Sequence, residues 1–371
     1  MLAARVAVVV LALLLASATA AQARPPVLIT TTGESVGMAV DAQGTAHIAY
    51  NDENRSGVGE PLMYCAWPKA AKTCTPRPIL ADNASPLGQP PLIQAGPAPG
   101  QLTIVSSRDA IDVIRSADGG ASWSAPASIG TGRWFEGAFG PNGQLALSFP
   151  NLGYVEFYER SLAGTPADPA TADLNHGHSV NSVTGFSGNV PVLVSGGTTI
   201  RTAVSSWSGQ GDIHDPATWL GPFNVAPTSY FDLTGGRSGL WLAYQQSTRT
   251  ADDRIYARRF NPRTHRFGPR HAIPAGRLGL SPVIELGIGQ GADGRMAIAW
   301  FNTVRDRIEV SASKTGSHWS RARVLATGVT LPGSIRVGLG PDGRGLVVWD
   351  DNNDKKIKAV KLDARALIKR G

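Results

Sequence analysis

The stretch that decides the fold is IRVGLGPDGRGLVVWDD, residues Ile335–Asp351. Two apolar runs flank a Pro-Asp-Gly turn, and this pattern predicts a β-hairpin because Asp and Gly tolerate the backbone angles of a tight turn. Similar stretches recur along the chain at intervals of about 50 residues, a period typical of repeat architectures. Clear copies begin at Val36, Phe135 and Ile284, and looser ones begin at Leu92, Val183 and Phe231.

The second half of each repeat predicts another hairpin, and its best copy is IDVIRSADGGASWSAPASIG from Ile111. Within it, Ser116, Asp118, Gly120 and Trp123 form a complete S-x-D-x-G-x-x-W motif. The Ser and Asp side chains can bond turn N–H groups, Gly permits the bend, and Trp can pack between sheets. The motif resembles the Asp box, also called the BNR repeat, of sialidases and related β-propellers.

We therefore predict an all-β β-propeller with seven four-stranded blades, with six blades as the alternative. Counting first hairpins gives seven, but the last repeat supplies only three strands. The segment VLITTTG from Val27 resembles a fourth strand, so we expect the N-terminal strand to complete the last blade and close the ring. No fourth strand for the third blade is obvious between Ser161 and Ser182.

The N-terminus predicts export. An apolar run from Val6 to Leu15 follows Arg5 and leads to the small-residue site Ala21-Gln22-Ala23, which is typical of a secretory signal peptide. We expect residues 1–23 to be a signal peptide and residues 24–371 to form a single propeller domain. The protein would be secreted, to the extracellular space or the periplasm, without a membrane span.

Two cysteines, Cys65 and Cys74, are nine residues apart in this exported chain. A disulfide between them is the expected outcome in an oxidising compartment. In the chain-entropy model such a short loop stabilises the fold by about 2.5–3 kcal/mol.

Charge and metal-ligand patterns exclude several function classes. The net charge is +7, and a basic run between Lys355 and Arg370 carries no interleaved aromatic residues, so we expect no nucleic-acid partner. His176 and His178 form only a two-ligand pair, and the acidic residues after Asp350 lack the glycine and distal glutamate of a calcium loop. The sequence predicts no metal, no cofactor and a monomer.

One column of the innermost strands carries charge where apolar residues are expected. Alignment of the repeats places Glu136, Asp232, Glu285 and Arg336 in this column, facing the central channel. Charged groups inside a strand are costly unless they face water or a partner. The carboxylates are candidate general acids or bases, with Arg336 orienting an anionic group or tuning a carboxyl pKa. The alternative is that they only hydrate a water-filled channel.

In sialidase-like propellers the ligand site lies on the face formed by the links between blades and between second and third strands, so the resemblance implies that face here. Residues that should lie near that face are candidate ligand-binding residues. One Arg-Trp pair among them can stack on a sugar and hold it. Together with Arg336 the candidates are Arg133, Trp134, Tyr230, His178, Asp52, Arg55 and Asn302.

The leading functional hypothesis is a secreted propeller that binds an extracellular glycan or surface protein. One alternative is a glycoside hydrolase or polysaccharide lyase, and another is a non-catalytic protein-interaction scaffold. The sequence departs from sialidases, since it has no Arg-Ile-Pro motif and Arg336 is the single arginine in the inner column. The resemblance therefore implies the fold and not the activity.

Overall fold

The computed structural model describes residues 25–52, 60–81, 90–107, 110–130, 135–141, 144–149, 154–158, 170–174, 179–197, 202–226, 230–246, 254–275, 278, 285–351 and 353–370. The first strands in chain order are β1 (Val27–Thr30), β2 (Gly33–Val40), β3 (Ala46–Asp52), β4 (Leu62–Trp67), β5 (Arg77–Leu80), β6 (Leu92–Ala95), β7 (Leu102–Ser107), β8 (Ile111–Ser116), β9 (Ala127–Gly130), β10 (Glu136–Phe139), β11 (Leu145–Phe149), β12 (Tyr154–Tyr158), β13 (Ala170–Asp173) and β14 (Ser179–Ser187). They are followed by β15 (Val190–Gly197), β16 (Thr202–Trp207), β17 (Trp219–Ala226), β18 (Phe231–Thr234), β19 (Trp241–Gln246), β20 (Arg254–Asn261), β21 (Arg266–Ala272), β22 (Leu286–Gln290), β23 (Met296–Asn302), β24 (Arg307–Ser313), β25 (Arg323–Thr327), β26 (Pro332–Leu339), β27 (Arg344–Asp351) and β28 (Lys356–Asp363). A 3-10 turn covers Pro216–Thr218 and one helix, α1, covers Ala364–Arg370.

These strands pair into seven antiparallel sheets of four strands, each of which is one blade. Blades one to six use consecutive strands, from β2–β5 to β22–β25, and the seventh has the order β26-β27-β28-β1. The first strand of each blade lies against the first strand of the next, and β26 lies against β2, so the inner strands form a closed ring. The predicted all-β propeller is confirmed.

The closure predicted for the last blade is also confirmed. Strand β1 pairs antiparallel with β28, with Val27 opposite Ala359 and Leu28 opposite Lys358. This pairing covers the outer edge that β28 would otherwise expose to solvent. The strand that sequence reasoning could not place in the third blade is β13, which pairs with β12.

The core lies between neighbouring blades. Each second strand presents apolar side chains to both sides of its sheet, because adjacent blades cover both faces. Aromatic residues of the second strands are buried at Tyr50, Tyr244, Trp300 and Trp349. Burial of each such ring stabilises the fold by about 2–3 kcal/mol.

The C-terminal helix was not predicted, since the sequence shows no long apolar periodicity after the signal segment. Helix α1 has seven residues, too few to give a periodic signal. Asp363 caps it by accepting the Ala366 N–H at 3.0 Å, and Leu367 and Ile368 pack against the core between blades six and seven. Among the described residues, no helix is both long and apolar enough to cross a membrane.

The Ser-Asp turn between β8 and β9 has the local hydrogen bonds expected from its sequence. The Ser116 hydroxyl accepts the Gly120 N–H at 2.8 Å, and the Asp118 carboxylate accepts the Ser122 N–H at 2.8 Å. Hydrogen bonds from Ser122 and Ser116 hold the pKa of Asp118 below its usual value. Gly120 has a φ of +87°, in the left-handed region that favours glycine.

This turn is fastened to the preceding blade by Tyr64 on β4. The Tyr64 hydroxyl donates to the Gly119 carbonyl at 3.0 Å and lies 2.7 Å from His47 Nδ1. Its ring packs edge to face on Trp123 at a centroid distance of 5.0 Å. The motif therefore joins blades one and two, and it also closes a hairpin.

Cys65 and Cys74 form the predicted disulfide, with Cα atoms 5.8 Å apart. Cys65 lies on β4, and Cys74 lies in the turn that leads to β5. This is the position that the Ser-Asp turn occupies in the second blade. The disulfide thus braces the equivalent turn of the first blade.

We expect Tyr64→Phe to lower the free energy of unfolding by about 1–2 kcal/mol, because it removes the hydroxyl shared by His47 and Gly119. Chemical denaturation of both proteins measures the difference. Tyr256→Phe is the matched control, since among the described contacts the Tyr256 hydroxyl makes no hydrogen bond. Equal losses in the two variants would contradict a role for the Tyr64 hydroxyl in joining the blades.

Candidate functional site in the central channel

The hairpin turns align the inner strands residue by residue. Gly140 donates its N–H to the Gln144 carbonyl at 2.8 Å, and Gly340 makes the equivalent bond to Arg344 at 2.7 Å. Glu136 and Arg336 each lie four residues before these glycines. Asp232 lies at the same position in the fifth blade. These three side chains therefore share one level of the channel, as the sequence alignment predicted.

Glu285 does not share that level, which corrects the alignment. Its blade makes the same turn bond from Gly291 to Arg295 at 2.9 Å, so the residue equivalent to Arg336 is Gly287. Glu285 is two residues earlier in the strand direction and therefore points to the same side of the sheet. Ile284 resembles Ile335 in sequence, but it lies two residues farther from its turn glycine, Gly291, than Ile335 lies from Gly340.

Close packing explains why glycine occupies the level of Arg336 in two blades. A Cβ at Gly287 would collide with the Ile335 carbonyl oxygen, and one at Gly37 would collide with the Pro91 carbonyl oxygen. Inner strands of neighbouring blades approach so closely there that a side chain has no room. Charged side chains are confined to the remaining blades.

The carboxyl groups of Glu136 and Asp232 lie deep in the protein but keep part of their surface accessible to solvent, as expected in a channel. Burial raises the pKa of each carboxyl, and the Arg336 guanidinium opposes this by lowering both values. Burial also raises the pKa of Glu285, to about 7, against a lowering effect of Arg336. Glu285 is thus poised to exchange a proton near neutral pH.

Arg336 is the cation on which this cluster depends. Burial alone would lower its pKa, but the carboxylates of Glu136, Asp232, Glu285 and Asp350 together raise it above its ordinary value. Four carboxyl groups therefore share one guanidinium. The cluster has an excess of negative charge whenever more than one of the carboxyl groups is ionised.

Two of these carboxylates also hold the ring together. Asp232 accepts the Ile288 N–H of the next blade at 2.9 Å and the Leu233 N–H at 2.8 Å. Asp350 accepts the Ser35 N–H at 2.9 Å, which links the seventh blade to the first, and also accepts the Ser334 N–H. Both have fixed structural partners, whereas among the described contacts the carboxyl of Glu136 makes no hydrogen bond.

A cavity of about 440 Å³ contains Glu136 and Asp232. Its lining also includes Gln94, Thr184, whose hydroxyl is itself buried, and the exposed turn residue Gly235. Gly235 belongs to the turn of the first hairpin of its blade, and the first-hairpin turns of all blades lie on the same face of the propeller. Among the described residues, the lining of the cavity therefore lies towards that face, whereas the sequence predicts the ligand on the opposite, loop-rich face.

The structure places the remaining predicted ligand residues differently. Tyr230 is half-buried, and the nearby Glu285 adds to burial in raising its pKa. Asp52 is half-buried at the end of β3. Asn302 is fully buried and donates to the Glu309 carboxylate at 3.1 Å, which gives it a structural contact. The predicted residues that lie outside the described part of the chain are Arg133, Trp134, His178 and Arg55.

One finding was not foreseen from the sequence. Asp350 joins the channel cluster from the second strand of its blade, and its position after the core residue Trp349 was the available signal. In the described part of the chain, no group of three or more His, Cys, Asp or Glu side chains could hold a metal ion.

Comparison with known proteins supports the fold. No protein-family model and no curated protein matches the chain. Virginiamycin B lyase from Staphylococcus aureus aligns at 13% identity and a TM-score of 0.56, over 91% of this chain and 98% of that one. YCF48 bound to D1 peptide aligns at 17% identity and a TM-score of 0.53, over 92% and 98%. At these identities both likenesses show the propeller fold alone.

A microbial sialidase, Hadza Hz136, also aligns, at 12% identity and a TM-score of 0.47, over 91% of this chain and 67% of that one. The resemblance to Asp-box proteins stays a prediction from the sequence motif at Ser116–Trp123.

We expect Glu285→Gln to stabilise the protein at pH 8 and to change little at pH 4. The folded-state pKa of Glu285, about 7, lies above its ordinary value of 4.5, so wild-type stability falls as pH rises between these values. Glutamine removes the ionised group, and we expect a gain of about 1–2 kcal/mol at pH 8 after allowing for partial solvent exposure. Urea unfolding at both pH values tests this, and an equal effect at both would contradict it.

Proposed function

We propose that the protein is an exported seven-bladed propeller that binds an extracellular ligand, a glycan, in its central channel. The observation that carries the proposal is the cavity containing Glu136, whose carboxyl is partly exposed and makes no hydrogen bond among the described contacts. Carboxylate and amide oxygens accept hydrogen bonds from sugar hydroxyls, and Gln94 lines the same cavity.

The charge of the cluster favours a neutral sugar over an acidic one. Among the described residues, Arg336 is the cation of this cluster, and it already faces four carboxyl groups. A ligand carboxylate would have to compete with them and would be repelled by those that are ionised. Hydroxyl groups, by contrast, can donate to the same oxygens without adding charge.

We expect the chain from Arg24 to bind neutral glycans on an array, and Glu136→Gln to weaken that binding at least about tenfold, because a bond to a charged acceptor contributes about 1.5–3 kcal/mol. Asp306→Asn, an exposed neutralisation on another blade, is the matched control and should bind like wild type. Asp232 is a poorer target, since its loss would also release Ile288.

Loss of binding in Glu136→Gln alone would support the channel site. Folded wild-type protein that binds no glycan would contradict the glycan proposal and favour a protein-interaction scaffold. Binding that both variants retain would place the site elsewhere on the propeller.

A second candidate function, a glycoside hydrolase or polysaccharide lyase, is favoured by Glu285. A carboxyl with a pKa of about 7 is suited to donate a proton at neutral pH, and Tyr230 is close enough to interact with it electrostatically. If the protein cleaves a glycan that it binds, we expect Glu285→Gln to lower kcat by about 100-fold or more with little change in KM. Cleavage that Glu285→Gln leaves unchanged would remove Glu285 from the catalytic machinery.

A further inference from the structure

The outer hairpin of the fifth blade concentrates most of the net charge of the protein. Residues 254–272, which form β20, its turn and β21, contain six arginines and no Asp or Glu. This hairpin therefore supplies six of the seven net positive charges of the whole chain. Elsewhere basic and acidic residues nearly balance.

Five of the six arginines are exposed: Arg254, Arg259, Arg263, Arg266 and Arg270. Among the described residues none of the five forms an ion pair with a carboxylate. A stretch of eight strand residues such as β20 spans roughly 25 Å, so the arginines extend along the whole height of the blade. We call these five exposed arginines the arginine rim.

Contacts with the neighbouring side chains hold two of these guanidinium groups in place. Arg266 lies over the Phe223 ring at 4.2 Å, and Arg270 lies over the Tyr256 ring at 4.9 Å. Arg270 also donates to the Gln246 side-chain oxygen at 2.9 Å. Guanidinium groups held in this way lose less conformational freedom when they bind an anion.

The sixth arginine, Arg258, makes the surface rigid. Its guanidinium donates to the carbonyls of Gly268 at 2.7 Å, Phe267 at 2.7 Å and Val225 at 2.6 Å. These bonds connect β20 to β21 and to the outer strand of the fourth blade. The hairpin that carries the arginine rim is therefore held in one conformation before any ligand binds.

We propose that the arginine rim binds an anionic polysaccharide, whose sulfate or carboxylate groups the guanidinium forks contact along the chain. Guanidinium matches the geometry of such oxyanions and can bind them with two parallel hydrogen bonds. The arginine rim lacks the features that would favour a nucleic acid or a lipid membrane as its partner. The aromatic rings of the hairpin, Tyr256, Phe260 and Phe267, are buried and offer no platform for nucleobases, and none of the exposed large apolar residues in the described chain lies on the hairpin.

The experiment measures binding of the whole protein to heparin, used as a sulfated polysaccharide probe, across a salt series. We expect Arg266→Gln/Arg270→Gln to lower affinity about tenfold or more and to reduce the slope of log K against log salt by about two, because two fewer counterions are released. Arg266→Lys/Arg270→Lys should keep the slope but bind more weakly than wild type, since lysine keeps the charge without the planar fork.

Arg305→Gln/Arg321→Gln is the control, because it removes two exposed charges from the sixth blade. Circular dichroism shows whether each variant is folded, and the lysine variant keeps the test decisive if the glutamine variant is not. A loss of heparin binding equal to that of the control would overturn the proposal. So would tighter binding of the wild type to single-stranded DNA or to phosphatidylserine vesicles than to heparin.

Discussion

The pairing of β1 with β28 is the constraint on which the rest of the structure depends. It brings the two ends of the chain into one sheet, with Leu28 opposite Lys358. Only a closed ring lets all the inner strands face a single axis, and the core between blades one and seven forms only when both are held in place. Asp350 strengthens the same junction by accepting the Ser35 N–H. Closure therefore determines both stability and the existence of a channel.

The geometry of a closed ring also explains the chemistry of its centre. Inner strands meet so closely that Gly37 and Gly287 can carry no side chain, and the few side chains that fit are brought together from distant parts of the chain. Charged groups in that space interact more strongly than on the surface because they are buried. A single guanidinium, Arg336, then keeps several carboxyl groups compatible with folding. The cluster is therefore a candidate site, and it also contributes to the stability of the closed ring.

The propeller fold, the closing strand and the disulfide could be predicted from the sequence because each leaves a local pattern that repeats or pairs. The channel could be predicted only in part. Sequence similarity places Glu136, Asp232 and Arg336 at one level, as the structure does, but it also places Glu285 there because Ile284 resembles Ile335. The turn at Gly291 shows that Glu285 lies two residues farther from the hairpin turn than that level. Asn302 is expected near the ligand face, but it is buried at the end of β23 and bonded to Glu309 on the next strand, which no local pattern reveals.

The distribution of charge gives the molecule two surfaces of opposite character. The channel has a carboxyl excess around one arginine, while the outer hairpin of the fifth blade has exposed arginines and no acidic residue. A polyanion held at the arginine rim would be repelled by the channel, so the two surfaces cannot serve the same anionic ligand. A heteropolymer with acidic and neutral segments could use both, its acidic part at the rim and a neutral end in the cavity. Such a division would orient the propeller on its ligand without any movement of the blades.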